Sequence, residues 1–147
     1  MSYDIYIGEA TLELFEGDVE YPAEIHIRVA RTTQPGAPQF EGDEMTGDGN
    51  SRHPGYSQWH GFCRAAGLED LFYDKEQGFI REHPGTFALE QRHLDVVTKA
   101  REEWEKGHFD PPGFVEGKDY ILARILWLEW WMRWALDNCK YPAIHNH

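Results

Sequence analysis

Cysteine is scarce: Cys63 and Cys139 are the only two in the chain. Two cysteines make no disulfide framework, and although a single Cys63–Cys139 bridge can be drawn, nothing around either residue calls for it. A reducing, cytoplasmic setting is the expectation. Basic charge is scarce too, with 14 Lys and Arg against 26 Asp and Glu and a formal net charge of −12. That balance repels nucleic-acid phosphates at long range, so nucleic acid is not an expected partner. Residues 9–48 hold no lysine, and only Arg28 and Arg31 are basic there. The opening MSYDIYIGEA has neither a basic n-region nor an apolar h-region, so no secretory leader is expected. Long apolar runs are missing as well. The best stretch, Tyr120 to Leu136, covers 17 residues and is interrupted by Arg124, Glu129 and Arg133. A membrane span needs about 20 apolar residues, and charges inside one are costly.

The common catalytic signatures are absent. There is no G-x-S-x-G elbow, no P-loop, no G-x-G-x-x-G and no alternating Ca²⁺ ligand loop in GDGNS. IHNH at residues 144–147 lacks the ββα context of an HNH nuclease and points to no chemistry. No cofactor is implied.

What is present is a hydrophobic and aromatic content, 41% and 14%, that suits one folded domain of 147 residues. Residues 1–32 read as an antiparallel β-meander. Ile5 and Ile7 alternate with polar neighbours, as do Leu12 and Leu14, and then Ile25, Ile27 and Val29, which predicts one buried face. Residues 33–56 are dense in Gly, Pro, Asp and Asn and read as a long loop. Residues 57–147 read as the helical part. Ser57 caps a first helix with Trp59, Phe62, Cys63 and Ala66 on one face and Gly67 as its stop. A short hairpin is predicted around Glu76–Gly78, and Thr86 as the cap of a second helix reaching Lys106. HFDPPGFVEGKD, residues 108–119, reads as a loop, because its prolines forbid helix.

The last helix is predicted from about Asp119 to Cys139. On it Trp127, Trp130, Trp131 and Trp134 fall at i, i+3, i+4 and i+7 and form one aromatic stripe. Ile121, Ile125, Leu128 and Met132 form an aliphatic stripe on the other side, and Glu129, Arg133 and Asp137 a charge ladder between them. The helix therefore reads first as core and second as a homodimer interface. Arg124, on an apolar arc, needs an acceptor: a structural carboxylate or a ligand anion.

NSRHPGYSQW, residues 50–59, brings Asn50, Arg52, His53, Tyr56 and Trp59 to the mouth of a helix. With Arg81 from REHPG and with Arg124, these residues make a candidate rim for a small anionic or nucleotide-like ligand. The same residues also have a structural reading, in which Asn50 and Ser57 make turns and a cap while Tyr56 and Trp59 fill the core. Acid–base candidates are His53 or His83 with Glu82 or Glu129. The one metal-like spacing is His53, His60 and Cys63, short of the four ligands of a structural zinc site.

With NSRHPGYSQWHGFCRAAGL, REHPG and DYILARILWLEWWMRWALDNC in view, the chain from about residue 46 onward resembles a group of small bacterial and phage proteins with no assigned activity. The resemblance implies an intracellular accessory protein that works by binding and carries over no catalytic residue. The combined expectation is an α+β domain: an N-terminal antiparallel meander packed on about three main helices, the last Trp-rich and largely buried. Its first functional reading is a non-enzymatic binder of a host protein or a small anionic ligand. The alternatives are a small hydrolase or transferase using a His/Glu pair, and a structural dimerisation module.

Overall fold

Ile5 and Ile7, the first alternating pair, lie at the centre of the molecule, both essentially without solvent exposure. They belong to β1 (Ile5–Phe15), the strand around which the sheet is built. The computed structural model describes residues 1–39, 42–107, 114–115 and 118–147. Among these, β2 (Glu24–Val29), β3 (Ser51–Arg52), β4 (Gly85–Ala88), β5 (Phe114–Val115), β6 (Lys118–Asp119) and β7 (Pro142–Asn146) complete the strands. The helices are α1 (Tyr56–Ala66), α2 (Glu69–Tyr73), α3 (Gln91–Gly107) and α4 (Tyr120–Asn138). The fold is α+β, with a curled antiparallel sheet in the order β2-β1-β7-β4 and β3 beside β2 on the same strand. β5 and β6 form a separate two-stranded pair, within the segment read from sequence as a loop; residues 108–113 and 116–117 of that segment lie outside the described residues.

α1 follows its apolar stripe: Trp59, Phe62, Cys63 and Ala66 are buried. Its N-cap is Gly55 rather than Ser57, and Gln58 Oε1 accepts the Gly55 N–H at 2.7 Å. Gly67 ends it at φ 73°, in the left-handed region. An added Cβ there would meet no atom within 4 Å. The full penalty of Gly67→Ala is therefore conformational, and thermal unfolding should show a loss of about 1 kcal/mol.

α4 is buried nearly all round. Trp127 and Trp131 are fully enclosed, as are Ile125, Leu128 and Met132, while Trp130 and Trp134 are half-buried at its edge. Trp131 meets the rings of Trp130 and Trp134 edge-on, at 4.8 and 5.4 Å. The charge ladder is subordinate to a bond between helices: Arg101 Nε of α3 reaches both oxygens of Glu129 at 2.9 Å, and Arg133 approaches the same carboxylate at 3.8 Å. Among the described residues no helix is long and apolar enough to cross a membrane.

Several sequence expectations need correction. The segment after residue 57 supplies β4 and β7 as well as helices. Thr86 caps no helix but sits in β4, and α3 begins only at Gln91. Glu69–Tyr73 is helical, and the predicted hairpin around Glu76–Gly78 is instead a turn bonded to Asp74. Cys63 and Cys139 are both free thiols. Leu12, Leu14, Ile25 and Ile27 do not face the core. Beyond Ala10, β1 leaves the body of the protein with β2 as a two-stranded ribbon, and these four side chains are exposed.

Candidate active site

The ligand rim expected from residues 50–59 is mostly interior scaffold. Asn50 is fully buried. Its Nδ2 donates to the carbonyls of Ile7 and Ala30, and its Oδ1 accepts the Thr32 N–H, all at 2.9 Å. It thus fills the gap on the edge of β1 between β3 and β2. Gly49, at φ 57°, makes the turn before it and accepts Trp127 Nε1–H at 3.1 Å. Trp59 is core. Arg52 and Arg124, 1% and 6% exposed, converge on one buried carboxylate, Asp43. Arg124 holds it with two bonds, Nε to Oδ2 at 2.9 Å and Nη2 to Oδ1 at 2.8 Å, while Arg52 Nη1 donates to Oδ2 at 2.9 Å. Arg52 also lies over the Trp127 ring at 5.1 Å. The acceptor Arg124 requires is structural. Arg81 donates to the Gly78 carbonyl and lies 3.7 Å over Phe87.

The acid–base candidates separate. Glu129 is committed to Arg101 and meets no histidine. Glu82 contributes its backbone carbonyl, to Asn146 Nδ2. Asn146 Nδ2 is a donor to Phe79 and Glu82, so its Oδ1 accepts from His83 Nδ1–H, and His83 Nε2 accepts the Tyr56 hydroxyl at 3.0 Å. Both nitrogens of His83 are used in holding β7 and α1. His60 faces Glu69 at 3.5 Å, and Cys63 is buried in the core, where burial and nearby Glu69 raise its thiol. Among the described residues, no group of three or more His, Cys, Asp or Glu is arranged to hold a metal ion.

His53 has a different setting. Its Nδ1 bonds Asp4 Oδ1, and the other oxygen of Asp4 faces His147 Nε2 at 3.2 Å. His147 Nδ1 lies 3.0 Å from His145 Nε2, and His145 Nδ1 lies 2.6 Å from Thr86 Oγ1, which donates to the Ile27 carbonyl. The sheet register makes this chain. Asp4 and Tyr6 alternate with core-facing Ile5 and Ile7, β7 pairs Tyr6 with His145, and β4 pairs Thr86 with His145. The Tyr6 ring lies parallel to His147 at 5.8 Å and edge-on to His53 at 6.4 Å.

The donor directions fix the protons. Thr86 spends its single hydrogen on Ile27, so His145 Nδ1–H donates to Thr86 and His145 Nε2 is an acceptor. His147 then donates Nδ1–H to His145, and its Nε2 lies 3.2 Å from the second Asp4 oxygen. His53 Nδ1–H donates to the other Asp4 oxygen. That leaves the lone pair of His53 Nε2 without a partner among the described residues. Burial first, then the charges of His147 and Arg28, pull His145 down to about 4. It is therefore neutral at pH 7, as its acceptor role demands.

This shift has a sign. In the unfolded chain a histidine titrates near 6.5. Between 6.5 and about 4 the unfolded state holds a proton that folded His145 does not. Its contribution is complete above pH 6.5 and is lost as pH falls toward 4, by on the order of 3 kcal/mol. Urea unfolding at stepped pH should show that decline, and His145→Gln should flatten it.

The pair Asp4–His53, His145 of β7 and His147 just beyond it were not legible as a site because their elements lie far apart in sequence. The available signal was alternation: His145 and His147 share one strand face, as Asp4 and Tyr6 do. Comparisons with protein-family models, curated proteins and solved structures found no match to the chain.

Proposed function

We propose that the protein is an acid–base enzyme, a hydrolase or transferase acting on an ester. The observation that carries this reading is Asp4 shared between His53 Nδ1 and His147 Nε2, with His53 Nε2 left free. A carboxylate on Nδ1 orients the ring, fixes its tautomer and stabilises the imidazolium formed when Nε2 takes a proton. In hydrolysis, a water O–H breaks, its oxygen bonds to the ester centre, and its proton passes to His53 Nε2. The bond to the leaving group then breaks, and that group departs with the proton. A substrate alcohol in place of water makes the same step a transfer. His53 is the catalytic residue, Asp4 is a positioning residue, and His147 lies against the other oxygen of the same carboxylate.

The expected binding rim is not open, because Arg52 and Arg124 are buried and both bond Asp43. Binding without turnover at the histidine face is the second reading, supported by the absence of Asp and Glu from the cavity wall beside it. A chromogenic ester panel tests the choice. Turnover that vanishes in a folded His53→Ala protein supports the enzyme, and turnover indifferent to that substitution contradicts it.

A further inference from the structure

The polar segments NSRHPGYSQW and REHPG meet at a second cluster, which the His53 chemistry does not use. His83 stands between Tyr56, the first residue of α1, and Asn146 of β7. Asn146 is 2% exposed, and its Nδ2 donates to the Phe79 and Glu82 carbonyls at 3.0 Å. Its Oδ1 can therefore only accept, which puts hydrogen on His83 Nδ1 and leaves the lone pair on Nε2. That lone pair takes the Tyr56 O–H at 3.0 Å. A hydroxyl, an imidazole and a fixed acceptor behind the imidazole form the arrangement that activates a nucleophile. The base removes the hydroxyl proton as the oxygen attacks, and the group behind the base holds its tautomer and orientation.

Packing does not require the bond between Tyr56 and His83. It lies at the surface, where water satisfies a hydroxyl nearly as well. The Tyr56 ring does the packing, 4.4 Å from that of Tyr3. Other phenols have no such base. Tyr120 donates to the Gly42 carbonyl, while Tyr21 and Tyr141, 68 and 61% exposed, donate to no group among the described residues. Charge narrows the electrophile. Among the described residues no Lys or Arg bonds Tyr56, His83 or Asn146, and the chain carries a formal charge of −12, so nothing at the cluster offsets the charge of a phosphate ester. A phenolic oxygen displaces a group no more basic than itself. An uncharged acyl ester with an aryl-type leaving group meets both conditions.

We propose that Tyr56 is an acyl acceptor, with His83 as its general base and Asn146 as a positioning residue. The Tyr56 O–H breaks and its proton goes to His83 Nε2 while the phenolic oxygen bonds to the acyl carbon. The bond from that carbon to the leaving group then breaks, the electron pair departs with the leaving group, and His83 returns the proton to it. The products are O-acyl-Tyr56 and the freed phenol or alcohol. His53 acts on water or a substrate alcohol and leaves no adduct on the protein, so an adduct on Tyr56 reads this cluster alone.

The intact protein is treated briefly with 4-nitrophenyl acetate at neutral pH, and the acetylated positions are read by peptide mass spectrometry. Tyr56 should carry about tenfold more acetyl or greater than Tyr21 or Tyr141, although it is less exposed than either. His83→Gln should remove that preference, and His53→Ala should leave it unchanged. Acetyl spread equally over the three tyrosines of the wild-type protein overturns the proposal without recourse to any variant. A preference that survives in folded His83→Gln protein also overturns it, as does one lost in folded His53→Ala protein. Phosphorylation of Tyr56 by 4-nitrophenyl phosphate as readily as acetylation overturns the uncharged substrate class. Acetyl on Tyr56 in a protein that turns over no ester upholds this site and contradicts the His53 reading alone.

Discussion

Asp43→Ala should lower the free energy of unfolding by about 3–5 kcal/mol, the largest effect of any single substitution considered. The substitution removes the carboxylate to which two buried guanidinium groups, those of Arg52 and Arg124, are both paired. Burial by itself would raise Asp43, but hydrogen bonds from Arg124, the Met45 N–H and Arg52 more than offset it and hold the carboxyl at about 2. The partner tells the other half. Burial pulls Arg52 down to about 10, and attraction to Asp43 offsets only part of that. The two shifts differ in what they say of the pair: Asp43 gains from it, while Arg52 stays desolvated at a cost. The geometry sides with a modest net gain from the intact triad and a large loss from breaking it. Replacing all three groups together, as Asp43→Val, Arg52→Met and Arg124→Met, should therefore recover much of what Asp43→Ala loses. The acid limb has its own sign. The Asp43 contribution is complete above the ordinary carboxylate value near 3.8 and is lost as pH falls through about 2, below the window assigned to His145. Urea midpoints for the single and triple variants measure both effects; a single variant within 1 kcal/mol of wild type (about the size of an ordinary surface change) would contradict the account of the triad.

His53→Ala should reduce ester turnover by about 10²–10⁴-fold, the usual contribution of a positioned general base. His53 is only partly buried and makes one side-chain hydrogen bond, to Asp4, so its loss should leave the fold intact. Asp4→Asn should cost a comparable factor by a different route. An amide at that position no longer favours hydrogen on His53 Nδ1 and no longer balances the charge His53 gains when Nε2 takes a proton. The distinguishing readout is the pH profile: turnover remaining in Asp4→Asn should follow a displaced profile, whereas that in His53→Ala should lose the acid limb, the fall in rate as the general base is protonated. A full-rate Asp4→Asn enzyme with an unshifted profile would remove Asp4 from the mechanism.

Local pattern was informative wherever one element decided its own fate. The i, i+3, i+4 and i+7 tryptophans gave a buried helix, the Trp59–Ala66 stripe gave α1, and Gly67 gave its stop, because burial of one face and backbone permissiveness act over a few residues. Ile5 and Ile7 were read as buried and are. The same alternation misplaced Leu12, Leu14, Ile25 and Ile27, since period two shows which residues share a face but not whether anything packs on it. Thr86 looked like a helix cap because a hydroxyl before an apolar-periodic segment suits one; pairing with β7 claimed it first. Arg124 was recognised as needing an acceptor, yet Asp43 could not be named from a loop of similar acids. The site was the least legible part. Asp4, His53, Thr86, His145 and His147 come from four separate stretches, and only the pairing of β1 with β3 and β7, and of β7 with β4, brings them together. His53 was a candidate from sequence, but its carboxylate partner is Asp4 instead of Glu82 or Glu129.

The central claim is the direction of the hydrogen bonds through Asp4, and nitrogen-15 NMR of the histidine rings reads it directly. Long-range proton–nitrogen correlation at neutral pH should show His53 as the Nδ1–H tautomer and His145 as neutral with hydrogen on Nδ1, with the ring signals of His53 and His147 displaced in Asp4→Asn. A neutral His53 with hydrogen on Nε2, or a His147 spectrum unmoved by Asp4→Asn, would contradict it.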